Sequence, residues 1–303
     1  MKNQTYDSSN NYFTSQPSFK RFEYIYKKIK RFFMGIFSIF ACTFIITLAV
    51  FVFYFNHLTQ EAIHISDTKL RTELLTISSA EDINFHSKSI LLEYEHSQNP
   101  LIVGPNEVSN NIIKALTSSE DSLYFKHNGI LPKAIIRAIG QDIFNTDDST
   151  GGSTITQQLV KNQMLTNEKT YSRKANELIL ALRAEKVLTK DEILYTYLNI
   201  VPFGRDKNGA NITGIASASY SVFGKSSQNL NVAEAAYLVG MLQSPYLYTP
   251  YKIDGSLKRS NDIQIGLNRQ HYVLKRMLVE GKISKKTFEQ AEQYDIKANL
   301  MTK

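Results

Sequence analysis

Between Phe32 and Phe55 lie 24 consecutive residues, FFMGIFSIFACTFIITLAVFVFYF, without one charged side chain. About 20 apolar residues in helical conformation cross the hydrocarbon core of a bilayer, so this run predicts a membrane span. A cleaved signal peptide has an apolar region of only about 7–15 residues followed by a small-residue cleavage site. This run is longer and ends on aromatic residues. Lys27, Lys28, Lys30 and Arg31 stand before it, and Asn56, His57 and Glu61 after it. That lysine–arginine bias predicts a cytoplasmic N-terminus and a large part outside the membrane.

Charge elsewhere narrows the partners. The chain of 303 residues carries a net +7, but residues 1–31 hold seven basic and two acidic side chains, or +5, which leaves +2 for the rest. The basic excess is a juxtamembrane tail suited to anionic headgroups, and the folded part lacks the charge that nucleic acid requires. The single cysteine, Cys42, lies inside the apolar run, so an internal disulfide and a multi-cysteine zinc site are both excluded. The residues before about 18, rich in Asn, Ser, Tyr and Lys, read as a disordered tail.

After the span, residues 56–104 read as a stalk and entry segment. Leu58, Ala62, Ile65, Leu70, Leu74 and Leu75 suggest helix, while Ile90-Leu91-Leu92 and Leu101-Ile102-Val103 suggest short strands. From Val108 onward the apolar spacing is helical, with helices predicted over 154–165, 172–186, 190–199, 212–222, 231–242, 261–280 and 284–293. Pro202-Phe203-Gly204 and Ser244-Pro245 mark chain reversals. A mainly α domain over about 105–300 results.

Three clusters carry chemistry. In SSEDSLYFKHNG, Glu120 and Asp121 precede Tyr124, Phe125 and His127. A carboxylate packed against aromatics loses water, holds its proton more tightly and becomes a better base, although a helix-terminal acid pair looks the same. In GGSTITQQLVKN, Gly151 and Gly152 lead into Ser153 and into Thr154-Ile155-Thr156-Gln157, which has capping-box spacing. A helix start offers free N–H groups to an anion, and Gln157, Gln158 and Lys161 follow within two turns; ordinary capping is the plainer reading. In SRKANELILA, Arg173 and Glu177 share a helix face, with Lys169 and Lys174 beside them. That pair is either a surface ion pair or a phosphate grip in which Glu177 orients Arg173's ligand or an ion bound to it.

These segments resemble the peptidoglycan glycosyltransferase family (glycosyltransferase family 51), the transglycosylase domain of class A penicillin-binding proteins and monofunctional cell-wall transglycosylases. Glu120–Gly129 compares with the family's ED-x-x-F-x-x-H-x-G, with Tyr124 standing at the phenylalanine place and Phe125 one position later. Gly151–Asn162 matches the second motif almost letter for letter. Arg173, Lys174 and Glu177 form the third, and Lys190, Ile193, Leu194, Tyr197, Leu198 and Asn199 the fourth. Glu234–Tyr251, with Gln243 and Pro245, resembles a fifth. The likeness runs from about residue 107 to 297. Tyr195, Asn176 and Lys169 depart from the family's usual Glu, basic residue and Arg.

The resemblance implies a lysozyme-like helical fold with a smaller jaw that dips into the bilayer. Its implied activity is polymerisation of lipid II into β-1,4-linked glycan, with undecaprenyl pyrophosphate leaving. Glu120 would be the base; Lys161, Lys169, Arg173 and Lys174 would hold the pyrophosphate; Glu177 would position it. Asp121, Gly152, Ser153, Thr154, Gln157 and Gln158 complete the expected site. No cofactor is required by this reading, which leaves room for a divalent cation, Mg or Mn, at Glu177. Lipid II, the growing glycan strand and the membrane are the expected partners, with cell-division or elongation proteins open. Two rivals stand beside it: a lytic transglycosylase, whose substrate carries no pyrophosphate, and a catalytically inactive cell-wall scaffold. No KTG occurs in the 303 residues and Ser66-x-x-Lys69 reads as chance, so no transpeptidase is expected within them. A monofunctional enzyme and the front of a bifunctional one both fit.

Overall fold

The computed structural model of the protein describes residues 17–144, 152–166, 168 and 170–302. The chain divides into two units, Met1–Leu58 and Thr59–Lys303. In the first, helix α1 (Pro17–Leu58) runs uninterrupted through the apolar segment and buries none of its residues. It is long and apolar enough to cross a membrane. Residues 1–16, most of the tail expected to be disordered, lie outside those described.

The second unit is mainly helical. Its elements are α2 (Gln60–His64), α3 (Asp67–Leu75), α4 (Ile90–Glu95), α5 (Asn110–Ser119), α6 (Pro132–Phe144), α7 (Ile155–Met164), α8 (Tyr171–Val187), α9 (Lys190–Ile200), β1 (Pro202–Arg205), β2 (Asn211–Thr213), α10 (Ile215–Phe223), α11 (Val232–Met241), α12 (Pro245–Tyr248), α13 (Ser260–Val279) and α14 (Lys285–Glu292). Helix α11 buries every residue from Ala233 to Met241, as a short helix apolar on all sides must. It packs against α5 and α13, which also touch each other. A second group places α7 between α8 and α9, with α3 against α7 and α8.

Two expectations for the entry segment are corrected. Residues 90–95 form a helix: Ile90 and Tyr94, one turn apart, are both buried, and the Tyr94 hydroxyl meets Thr196 Oγ1 at 2.9 Å and Leu75 O at 3.2 Å. Nor do residues 101–103 form a strand. The Asn199 side-chain amide takes the place of a partner strand, accepting from Val103 N and donating to Val103 O, both at 2.9 Å. The expected stalk contributes Leu70, Leu74 and Leu75 to the core.

The strands fall elsewhere. Pro202–Arg205 pairs antiparallel with Asn211–Thr213, where a reversal and a helix start had been expected. Alternation of Phe203 and Ile212 into the core explains the pairing, and α10 begins only after Gly214, whose φ of 85° ends the strand.

Candidate active site

The first turn of α7 organises the site. Thr154 caps it: its Oγ1 accepts from Gln157 N at 3.1 Å while Gln157 Oε1 accepts from Thr154 N at 3.1 Å. The next free donor, Ile155 N, is taken by Asp121 Oδ2 at 3.1 Å. The helix start is therefore not the open anion site that the glycine–hydroxyl segment suggested. A buried carboxylate of the chain itself already answers its dipole.

Asp121 is tied in from a second side. His127 Nε2 lies 2.8 Å from Asp121 Oδ2, and His127 Nδ1 accepts from Gly129 N at 3.0 Å. That acceptor role requires the neutral tautomer protonated at Nε2. Gly129 O in turn accepts from Thr154 Oγ1 at 2.5 Å. A loop from Asp121 to Gly129 is thus latched onto the start of α7 through two polar contacts and braced by two more within itself. Gly129 has a φ of 89°, and a Cβ there would run into the Ala181 carbonyl. Gly129→Ala is accordingly expected to destabilise the domain by about 1–3 kcal/mol and to lower activity with it; a thermal melt unchanged from wild type would contradict this.

Tyr124 is fully buried and donates to Lys190 O at 2.6 Å, with the Lys190 ammonium 4.5 Å above its ring. Phe125 is 56% exposed. Tyr124 therefore fills the core place that the motif assigns to phenylalanine.

Two consecutive glutamines reach two different carboxylates. Gln158 Nε2 donates to Glu120 Oε2 at 3.1 Å, and the buried Tyr197 hydroxyl donates to Gln158 Oε1 at 2.8 Å, which orients the amide. Gln157 Nε2 donates to Glu177 Oε1 at 3.0 Å. Glu120 and Glu177 are therefore held on two sides of one helical turn. Their surroundings differ in charge.

Glu177 is buried between two cations. Arg173 Nη1 lies 2.8 Å from its Oε2, and Lys174 Nζ bonds its Oε1. Lys174 also reaches Ser153 Oγ at 3.1 Å. The trio sums to one positive charge. Arg173 Nε is buried with no partner among the described residues. Lys161, one turn beyond Gln157, is exposed and forms no ion pair among the described residues. These groups suit an anion. A divalent cation does not fit at Glu177, because both carboxylate oxygens serve Arg173, Lys174 and Gln157, and the flanking cations repel a metal. Gly152 and Ser153 are half-buried at the entrance to α7. Lys169, also expected in the site, lies outside the described residues, as does Gly151 of the glycine pair before α7.

Glu120 is nearly neutralised instead. Arg269 Nη2, from α13, lies 3.4 Å from Glu120 Oε1, and the two side chains are 14% and 13% exposed. Burial pushes the Glu120 carboxyl above its ordinary range; Gln158 and Arg269 pull it back and Asp121 pushes it up. Glu120 thus holds a proton more tightly than an exposed glutamate does. Arg269 was not legible from motif spacing, since it lies some 150 residues along the chain from Glu120; only the fold brings them together.

Among the departures, Asn176 is buried and bonds backward rather than into the site, accepting from Ala62 N at 3.3 Å and donating to Ser172 O at 3.0 Å.

Comparison with known proteins gives one family. The family model described as Transglycosylase matches residues 87–278. Penicillin-binding protein 1A of Escherichia coli (strain K12) is 36% identical over 195 residues, 64% of this chain and 21% of that protein. Penicillin-binding protein 1A of Clostridium perfringens (strain 13 / Type A) is 39% identical over 194 residues, 63% of this chain and 27% of that protein. The chain thus spans about a quarter or less of the length of these curated relatives. A crystal structure of penicillin-binding protein 1A from Haemophilus influenzae matches at 23% identity over 49% of this chain and 16% of that one, with a TM-score of 0.29, too low to carry an argument.

Proposed function

Since this chain belongs to the transglycosylase family, we propose that it polymerises lipid II into β-1,4-linked peptidoglycan strands by inverting glycosyl transfer. Glu120 removes the proton from the 4-hydroxyl of the acceptor's N-acetylglucosamine. The freed oxygen attacks the anomeric carbon of the donor strand, the α-linked bond to the lipid pyrophosphate breaks, and the new bond forms β. Lys161, Arg173 and Lys174 take up the charge that develops on the leaving diphosphate. Glu177 holds Arg173 and Lys174 in place between turns of the reaction.

The observation that carries this reading is the pair of adjacent glutamines, Gln157 and Gln158, that place a proton-accepting carboxylate beside a net-positive cluster. A glycan-cleaving enzyme has a use for the first but none for the second, because its substrate carries no diphosphate. On this proposal residues 1–31 are cytoplasmic, 32–55 span the membrane, and the catalytic part lies outside, as the positive-inside bias requires. The exposed Leu123, Phe125 and Ile136 then supply apolar surface to the jaw that meets the bilayer.

Detergent-solubilised protein incubated with labelled lipid II tests the proposal. Long glycan strands with release of undecaprenyl pyrophosphate are expected. Fragments cut from finished wall would establish a lytic enzyme, and no reaction with either substrate a scaffold. Lys161→Ala is expected to lower kcat about 10–100-fold, the scale of losing one charge-assisted contact that strengthens in the transition state. An unchanged kcat would remove Lys161 from the diphosphate site.

A further inference from the structure

We propose that Arg269 is a positioning residue for glycosyl transfer, holding the Glu120 carboxylate ionised and aimed at the acceptor hydroxyl. The inference rests on the transfer reaction proposed above and adds to it a residue from outside the three acidic and cationic clusters.

The arginine is built into place. Its guanidinium carbon stands 4.3 Å over the Tyr272 ring, one turn along the same helix. Its stem passes Gly240 of α11, where a Cβ would approach Arg269 Cγ to 3.2 Å. Helices α11 and α13 pack closely, so the side chain leaves the helix interface in a fixed direction. At its end, Nη2 meets Glu120 Oε1 at 3.4 Å. Gln158 Nε2 holds the other oxygen, so Glu120 is gripped from α13 on one side and α7 on the other. Arg269 Nε is buried without a partner among the described residues, so the guanidinium is not spent on a structural network of its own.

The groups facing Glu120 are few. Asp121 on its own segment disfavours its negative charge, the Gln158 amide and Arg269 favour it, and the buried Tyr197 hydroxyl near it donates its hydrogen bond to Gln158. Among the described residues, Arg269 is the one cation that faces it. Without it, a carboxylate this poorly hydrated beside Asp121 holds its proton to higher pH, and the fraction of enzyme competent as base falls.

The experiment is the pH dependence of kcat and kcat/KM for lipid II polymerisation by the full chain in detergent, comparing wild type, R269A, R269K and E120Q. R269A is expected to lose about 10²-fold in kcat with KM little changed, and to move the acidic limb of kcat/KM to higher pH. R269K keeps the charge but lacks the planar fork, so it restores the limb while recovering only part of the rate. Wild-type rate and limb in R269A would overturn the proposal. If R269A does not fold, R269K is read alone, and a wild-type kcat overturns it. E120Q separates the two levels. An active E120Q refutes the assignment of the base, whereas an inactive E120Q beside a normal R269A refutes only the role of Arg269.

Discussion

Glu120→Gln is expected to cut the rate of glycan polymerisation by about 10²–10⁴-fold, the contribution of a general base, while lipid II binding stays close to wild type. Glutamine keeps the shape and can still accept from Arg269, but it cannot take the acceptor's proton. The same change carries a stability signature. Burial raises the carboxyl above the ordinary glutamate range. A group raised on folding contributes stability that is complete below its unfolded value and is lost as pH rises through its folded value. Glutamine does not titrate, so the melting temperature of the variant should gain on wild type as pH rises from 4 to 7. In wild type, kcat/KM should fall on the acid side at a higher pH than an exposed glutamate would give. Near-normal polymerisation by the variant, with a pH-independent difference in melting temperature, would show that Glu120 is neither the base nor strained by burial.

The second large effect belongs to Glu177. Removing it as Glu177→Ala leaves Arg173 and Lys174 facing each other without their shared counter-charge. Breaking a buried pair in this way costs about 3–5 kcal/mol. The low end applies because Lys174 is 40% exposed and solvent screens it. For a unit of this size that is a fall of roughly 6–12 °C in melting temperature. Polymerisation should fall as well, since the diphosphate grip loses its geometry. Glu177→Gln, which keeps the contact with Gln157, should lose less stability than alanine. A melt within a degree of wild type for Glu177→Ala would mean that the cluster is a solvated surface network.

What could be read from the residues alone was what local pattern encodes. The membrane span followed from an uncharged run, and helices such as Tyr171–Val187 and Lys190–Ile200 from apolar spacing. The capping box at Thr154 and the Arg173–Glu177 face were equally local, and both are present. Relations between distant segments were not legible. Capping chemistry pointed to an anion at the start of α7, but nothing nearby in sequence announced that Asp121, 34 residues upstream, occupies it. Residues 101–103 had strand composition, yet a side-chain amide nearly a hundred residues away supplied their partner. Arg269 stayed hidden for the same reason. The division of labour between Gln157 and Gln158 was also invisible, because a motif gives identity and order but not the direction in which each side chain points.

The central claim is that one helical turn holds a base on one side and a diphosphate grip on the other. A structure of the protein with a lipid II analogue bound tests it most directly. The account predicts both phosphorus atoms within contact of Lys161 and Arg173, with Arg173 Nε engaged, and an acceptor hydroxyl within hydrogen-bond reach of Glu120. Phosphates bound away from Lys161 and Arg173, or a sugar hydroxyl out of reach of Glu120, would contradict it.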